Sequence, residues 1–268
     1  MTALSTIGFD LDGVLMRNPF ESCVFPHMHR VFRTTPRLRA LPLDEATARS
    51  GEAVRAAWRR RLAAGDMVGA YDWDAIFREA ADALGGAEVP EVAELVRRCC
   101  GVPDAIEALP GAHDTLRALR AAGHRLVVIT NGFAAYQEPV LDALGLLPYF
   151  DLVITPDRVG FAKPDPEAFR AAGELDWFVG DTLLHDVLGA RLAGARAAWL
   201  ATNLPDAIRT LPASQRASSP LLGPAVADAI AASPYRGLVP RASLATCTPD
   251  AVVVRLEELL DVVVARAA

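Results

Sequence analysis

Apolar residues along this chain follow two rhythms. Five short unbroken runs, TIGFD (6–10), RLVVIT (125–130), DLVIT (151–155), DWFVGD (176–181) and RAAWLA (196–201), are rich in Val, Ile or aromatic residues. Continuous apolar runs of this length are the pattern of strands covered on both faces. From Leu126 onward they alternate with helix-like segments at Ala135–Leu144, Pro166–Ala172 and Leu183–Ala193. Ahead of the second run, GAHDTLRALRAAG sets Leu116 and Leu119 on one helical face and stops at Gly123, a C-terminal helix signal. Strands alternating with helices predict an α/β fold, a Rossmann-like doubly wound parallel sheet.

The alternation breaks between residues 16 and 110. There Ala, Arg, Glu and Leu recur at helical spacing, most clearly in SGEAVRAAWRRRLAAG, DWDAIFREAADALGG and VPEVAELVRRCCG, each closed by glycine. The expected organisation is a core built from residues 1–15 and 111–201, with an inserted α-helical cap domain over 16–110. Residues 202–268 form a C-terminal extension. Its first part, 202–250, is rich in Pro, Ala and Ser, too long for a simple connection and expected to be an ordered excursion, a lid or a mobile loop. Its end, TPDAVVVRLEELLDVV, favours a terminal helix packed on the core, with Val252–Val254 as an alternative edge strand.

Composition narrows the function classes. Although 52% of the 268 residues are hydrophobic, no apolar stretch reaches the ~20 residues of a membrane span. MTALSTIGFD lacks the basic start of a secretion signal, so a soluble, cytoplasmic protein is expected. A net charge of −6 argues against a nucleic-acid partner. Cys23, Cys99, Cys100 and Cys247 show neither a C-x-x-C pair nor zinc-ligand spacing, and all four are expected as free thiols in a reducing compartment.

In an open α/β sheet ligands bind beyond the carboxyl ends of the strands, so the polar residues that end these runs carry the candidate chemistry. The first run ends in FDLDGVL, which puts Asp10 and Asp12 on one side of the chain with Gly13 permitting a tight departure. The second ends in Thr130-Asn131-Gly132, a hydroxyl, an amide and a glycine N–H able to approach a phosphate. The fourth ends in Gly180-Asp181, with Asp186 five residues on. Carboxylates from two strands make a hard-oxygen site suited to Mg²⁺ with substrate phosphate. One further residue stands out: Lys163, in FAKPDPEAF, is the only lysine among 27 basic residues.

With these elements in place the sequence resembles the haloacid dehalogenase superfamily. The four motifs of that family are matched in order by FDLDGVL (9–15), VVITNG (127–132), Lys163, and VGDTLLHD (179–186), and the helical insert after the first motif resembles its type-one cap. The resemblance implies a Mg²⁺-dependent phosphatase acting on a small phosphorylated metabolite. It casts Asp10 as the nucleophile that forms an aspartyl-phosphate and Asp12 as the acid and base. Thr130, Asn131, Gly132 and Lys163 would hold the phosphoryl group. Mg²⁺ would be bound by Asp10, the Asp12 backbone carbonyl and Asp181, with Asp186 acting through water or orienting Lys163. Arg17 and Phe20, just past the first motif, are candidates for substrate specificity, while Trp58 and Phe77 are expected in the core of the cap.

Other readings within and beyond the family are weighed by residues. A 2-haloacid dehalogenase needs neither Asp12 nor the Asp181 and Asp186 pair. A phosphonatase needs a cap lysine, and residues 16–110 contain none. A phosphosugar mutase shares the catalytic parts and stays open. A non-enzymatic phosphoacceptor of the receiver type would carry its acidic pair before the phosphorylated Asp, and no inserted cap.

Overall fold

Six parallel strands, in spatial order β3-β2-β1-β4-β5-β6, make the sheet that the apolar runs predict. They are β1 (Thr6–Phe9), β2 (Arg125–Ile129), β3 (Leu152–Ile154), β4 (Trp177–Gly180), β5 (Arg196–Leu200) and β6 (Ala251–Val253). The computed structural model describes residues 5–233, 235–237, 239 and 242–264. The first four residues of MTALSTIGFD and positions 234, 238, 240 and 241 of the Pro/Ala/Ser-rich stretch lie outside the described residues. The strand order reverses at β1, which is flanked by β2 and β4 in matching register: Gly8 sits opposite Val127 on one side and Phe178 on the other. Both neighbours of β1 are therefore strands whose ends carry candidate site residues.

The chain divides into two compact units. One comprises residues 1–17, 108–131 and 145–268, and the other residues 18–107 and 132–144. The sheet belongs to the first unit. Its two faces are covered because its strands carry few polar residues: Ile7, Phe9, Val127, Val128, Trp177, Phe178 and Val179 are all fully buried. Phe169 packs edge-on against Phe178 at 4.9 Å between ring centres. Each fully buried side chain of this size contributes roughly 1.5–3 kcal/mol by leaving water.

The second unit is helical, with α1 (Phe25–Phe32), α2 (Leu43–Ala63), α3 (Trp73–Ala83) and α4 (Val92–Cys100). Helix α3 starts where the Asp72 side chain accepts from the Ala75 N–H, a polar N-cap. An aromatic cluster of Phe20, Phe25, Trp73 and Phe77 fills its interior. Residues 132–144, which the sequence reading assigns to the core, group with this unit. Their helix, α5 (Ala134–Ala143), supplies Tyr136, which packs on Phe20 and donates a 2.7 Å hydrogen bond to Asp74 Oδ2.

Two expectations are corrected here. Cys23 and Cys99, 76 residues apart, form a disulfide within the helical unit, so only Cys100 and Cys247 are free thiols. No short-range spacing announces that pair; the packing of α4 near the start of α1 brings the two together. The chain end is also different. Residues 251–253 form the edge strand β6 beside β5, followed by single turns at Leu256–Glu258 and Leu260–Val264 rather than one continuous helix. The 3.6-residue apolar spacing is real, but Val252 and Val253 gain more by completing the sheet, where both are fully buried.

The Pro/Ala/Ser-rich stretch is largely ordered against the first unit. Arg216, 4% exposed, pairs with Glu258 at 2.5 Å and donates to the Arg209 carbonyl at 3.1 Å. Glu258 in turn accepts from the Val254 N–H at 2.9 Å. A buried arginine with a charged partner and carbonyl acceptors ties residues 206–216 to the sheet edge. Among the described residues, the longest element of the stretch is a helix at Leu222–Ala232.

Candidate active site

The site grows from the carboxyl ends of β1, β2 and β4. Asp10 follows β1 directly, and its N–H donates to the Val179 carbonyl of β4 at 2.9 Å, so the residue is fixed by the sheet ladder itself. Beyond it the chain turns sharply, with the Leu15 and Met16 N–H groups both returning to the Leu11 carbonyl. Gly13 makes that turn at φ +79°, and a β-carbon there would collide with the Asp181 carboxylate. Glycine thus satisfies both a left-handed backbone and the close approach of the fourth motif. Asp12 sits on this turn, partly buried, close enough to Asp181 for the two charges to repel.

Lys163 is the centre of the arrangement. Its ammonium is 2% exposed and lies 2.7 Å from Asp10 Oδ1 and 2.7 Å from Asp186 Oδ1. Its backbone is held as tightly as its side chain. The Asn131 side chain accepts from the Lys163 N–H at 2.7 Å and donates to the Lys163 carbonyl at 3.0 Å, a two-point clamp from the end of β2. The Lys163–Pro164 peptide is cis. Thr130, buried one residue before Asn131, is pinned to β3 by its N–H bond to the Ile154 carbonyl at 3.2 Å.

Asp186 is fully buried and committed. Oδ1 takes the lysine; Oδ2 accepts from the Thr182 N–H at 2.9 Å and the Thr182 hydroxyl at 2.6 Å. It reaches this position because Gly180 offers no side chain: a β-carbon at Gly180 would overlap the Asp186 side chain. Asp181 is anchored through its backbone, whose carbonyl accepts from the Trp199 indole at 2.9 Å.

Electrostatics follow from this crowding. Burial pushes the Asp10 carboxyl well above its ordinary range, against the pull of the Lys163 ammonium, and the Asp186 and Asp181 charges push the same way as burial. Burial likewise raises Asp181, to about 7, with Asp186 adding to it and Lys163 opposing. Burial works against the charge on Lys163, but Asp10 and Asp186 more than offset it and hold the ammonium above its usual value. His185 is lowered to about 4 by burial, so it is a neutral imidazole and no acid at pH 7.

Carboxylate oxygens of Asp10, Asp181 and Asp186 lie within 4.8 Å of one another. Three carboxylates against one ammonium leave a negative excess, which suits a hard cation. Asp186 already accepts three hydrogen bonds, which leaves Asp10 and Asp181 the less engaged side chains of the group for one. The structure thus brings together Asp10, Asp181, Lys163, Asp186 and Asn131 in the first unit. Arg17 is exposed near the end of that unit's first segment. Gly132 and Phe20 fall in the helical unit, Phe20 within its aromatic cluster at 8% exposure. Phe77 is fully buried in the same cluster.

A sequence model of haloacid dehalogenase-like hydrolases matches residues 4–194. The chain belongs to that family. The match runs through Asp10, Asp12, Thr130, Asn131, Lys163, Asp181 and Asp186, and it makes the protein a haloacid dehalogenase-like hydrolase with the Rossmann-like core described here. Among curated relatives, the phosphoserine phosphatase of Thermus thermophilus is 36% identical over 182 residues, 63% of this chain and 70% of that protein. The pyrimidine 5'-nucleotidase YjjG of Escherichia coli is 41% identical over 100 residues, covering 34% of this chain and 44% of its own length. Among solved structures, a HAD phosphatase from Thermococcus onnurineus superposes with a TM-score of 0.66 at 24% identity, over 97% of this chain and 98% of that one, a likeness that speaks for the fold.

Two contributors escape a sequence reading. Thr182 holds Asp186 through both its N–H and its hydroxyl, and its place between the two acidic residues of the fourth motif was the available signal. Trp199 steadies Asp181 from the end of β5, a pairing across strands that no spacing encodes.

Proposed function

We propose that this haloacid dehalogenase-like hydrolase is a phosphomonoesterase for a small phosphorylated metabolite, working through an aspartyl-phosphate on Asp10. The observation that carries the reading is the buried Lys163 ammonium bridging Asp10 and Asp186 at 2.7 Å each, with Asp181 beside them. A fixed cation next to the nucleophile reduces the repulsion between a carboxylate and an incoming phosphate dianion, and it meets the charge that grows on the equatorial oxygens in the transition state. Asp12 supports the choice of phosphoryl over dehalogenation chemistry, because only an ester leaving group needs a proton.

The Asp10 carboxylate attacks phosphorus while the ester P–O bond breaks, and the departing oxygen takes a proton from Asp12. Water then attacks the aspartyl-phosphate phosphorus and gives its proton to Asp12, which releases inorganic phosphate and regenerates the Asp10 carboxylate and the Asp12 acid. Thr130 and the Asn131 N–H, at the end of β2, would hold phosphoryl oxygens, while the Asn131 side chain stays on the Lys163 backbone. Asp10 and Asp181, with the Asp12 carbonyl, would hold Mg²⁺, which when bound offsets the carboxylate excess and neutralises phosphoryl charge. Asp186 positions Lys163 and leaves chemistry to its neighbours. A soluble metabolite as substrate fits the relatives named for phosphoserine and nucleotide phosphates and the lack, among the described residues, of a helix long and apolar enough to cross a membrane.

Asp10→Asn tests the proposal. That variant should lose turnover of 4-nitrophenyl phosphate with Mg²⁺ while keeping the fold, and full activity would remove the assignment.

A further inference from the structure

Beside Asp181 the first unit contains an open cavity of about 740 Å³. That volume lies within the range of small-molecule pockets, roughly 300–1,000 Å³. It sits outside the carboxyl ends of β4 and β5, where ligands of such sheets bind. One wall is Asp181, Trp199 and the chain from Thr202 to Pro205; the other is the helix Leu222–Ala232. This helix presents Ala225, Asp228, Ala229 and Ala232 to the cavity. Their spacing of i, i+3, i+4 and i+7 is one helical face, so the face consists of three methyl groups and one carboxylate. The alanines leave space, and Asp228 is the only charge the helix contributes.

The lining contains no lysine, arginine or histidine. With Asp181 assigned to the phosphoryl site, the Asp228 carboxylate and the Trp199 indole are the pair that recognises an alkylammonium, by ion pairing and by attraction to the aromatic face. The polar groups are also uncommitted. Among the described residues, the side chains of Asp228, Thr202 and Asn203 make no hydrogen bond or ion pair.

Resting on the phosphatase reading, we propose that residues 199–232 form a subsite on the core unit for the non-phosphoryl part of the substrate, and that this part carries an amine: the substrate class is the phosphate monoester of an amino alcohol. Asp228 pairs with the ammonium, while Thr202 and Asn203 donate to or accept from its hydroxyl or carbonyl groups. The excursion after β5 thereby acquires a task, selecting the leaving group from the side of the sheet.

The test compares 2-aminoethyl phosphate with ethyl phosphate, which differ only in the amine. Binding of each to the full-length protein with Mg²⁺ is measured by calorimetry on the Asp10→Asn background, and turnover on the otherwise unaltered enzyme. The amino ester should bind about tenfold tighter or more, the worth of one charge-assisted hydrogen bond. Asp228→Asn should collapse that preference toward one, and Asp228→Glu should retain most of it. Asp228 is exposed, so these variants fold. Equal binding of the two esters, binding of neither, or a preference untouched by Asp228→Asn overturns the subsite. So does a titration with Mg²⁺ alone that weakens in Asp228→Asn, since Asp228 would then serve the metal. An amine preference without hydrolysis of either ester leaves the subsite standing and removes the phosphatase reading instead.

Discussion

Replacing the single lysine by methionine is the most informative perturbation of this protein. Lys163→Met keeps length and apolar stem but deletes a charge that is 2% exposed and paired at 2.7 Å with both Asp10 and Asp186. Removing one partner of a buried ionic group leaves uncompensated charge, at a cost of about 3–5 kcal/mol. At about 2–4 °C per kcal/mol for a chain of this size, the thermal midpoint should fall by roughly 10 °C at pH 8. The pH dependence distinguishes this from a packing defect. Burial already raises Asp10 above its ordinary value of 3.8, and loss of the ammonium raises it further. A carboxyl raised in the folded state contributes stability that is complete below its unfolded value and is lost as pH climbs through the folded value. The deficit of Lys163→Met should therefore be largest at pH 8 and shrink toward pH 5. Lys163 itself, raised above 10.5, contributes fully at any pH below its unfolded value, so its own titration adds no slope in this window. The assay is differential scanning calorimetry of both proteins from pH 5 to 8, with kcat on an aryl phosphate falling about two to three orders of magnitude, as for loss of one transition-state donor. A constant difference in midpoint across that range would refute the electrostatic reasoning, and an unchanged kcat would refute the catalytic role.

The remaining predictions address the other groups. Asp12→Asn should form the phospho-enzyme slowly and hydrolyse it slowly, lowering kcat about 10²–10⁴-fold; single-turnover kinetics with an aryl phosphate check this, since its good leaving group should lessen the first effect. Chelation by EDTA should abolish turnover and Mg²⁺ should restore it, while Asp181→Asn should need more Mg²⁺ for half-maximal rate. Asp186→Asn should keep Asp10 chemistry possible but loosen Lys163, lowering kcat more than it raises KM, whereas a substrate-binding role would show chiefly in KM. Reduction of the Cys23–Cys99 bond, or Cys23→Ser, should destabilise the helical unit by up to about 4 kcal/mol through loop-closure entropy, read as a reductant-dependent midpoint that is absent in Cys23→Ser.

Much of the core was legible because its physics is local. A strand covered on both faces must be a short unbroken apolar run, so the five runs from TIGFD to RAAWLA could be read directly, and with them the carboxyl ends where Asp10, Thr130, Asn131 and Asp181 stand. Lys163 was legible for a different reason: a chain that uses arginine everywhere else keeps lysine at one place. The sixth strand was not legible, since Val252 and Val253 fit a helix equally well until β5 offers them an edge. The assignment of 132–144 failed likewise, because Tyr136 finds Asp74 and Phe20 in the helical unit, 62 residues away in sequence for the first of these.

By itself, then, the sequence determined the order of the first five strands and the helices between them, and the carboxylates and the lysine at their ends, for each is set by residue type and near neighbours. Only the tertiary structure decided which groups meet. The clamp of Asn131 on the Lys163 backbone, the double tie of Thr182 to Asp186, the Cys23–Cys99 bond and the cavity between β5 and the helix Leu222–Ala232 all join residues through packing. Contacts of that kind depend on how far apolar burial draws distant segments together, a quantity that no window along the chain contains.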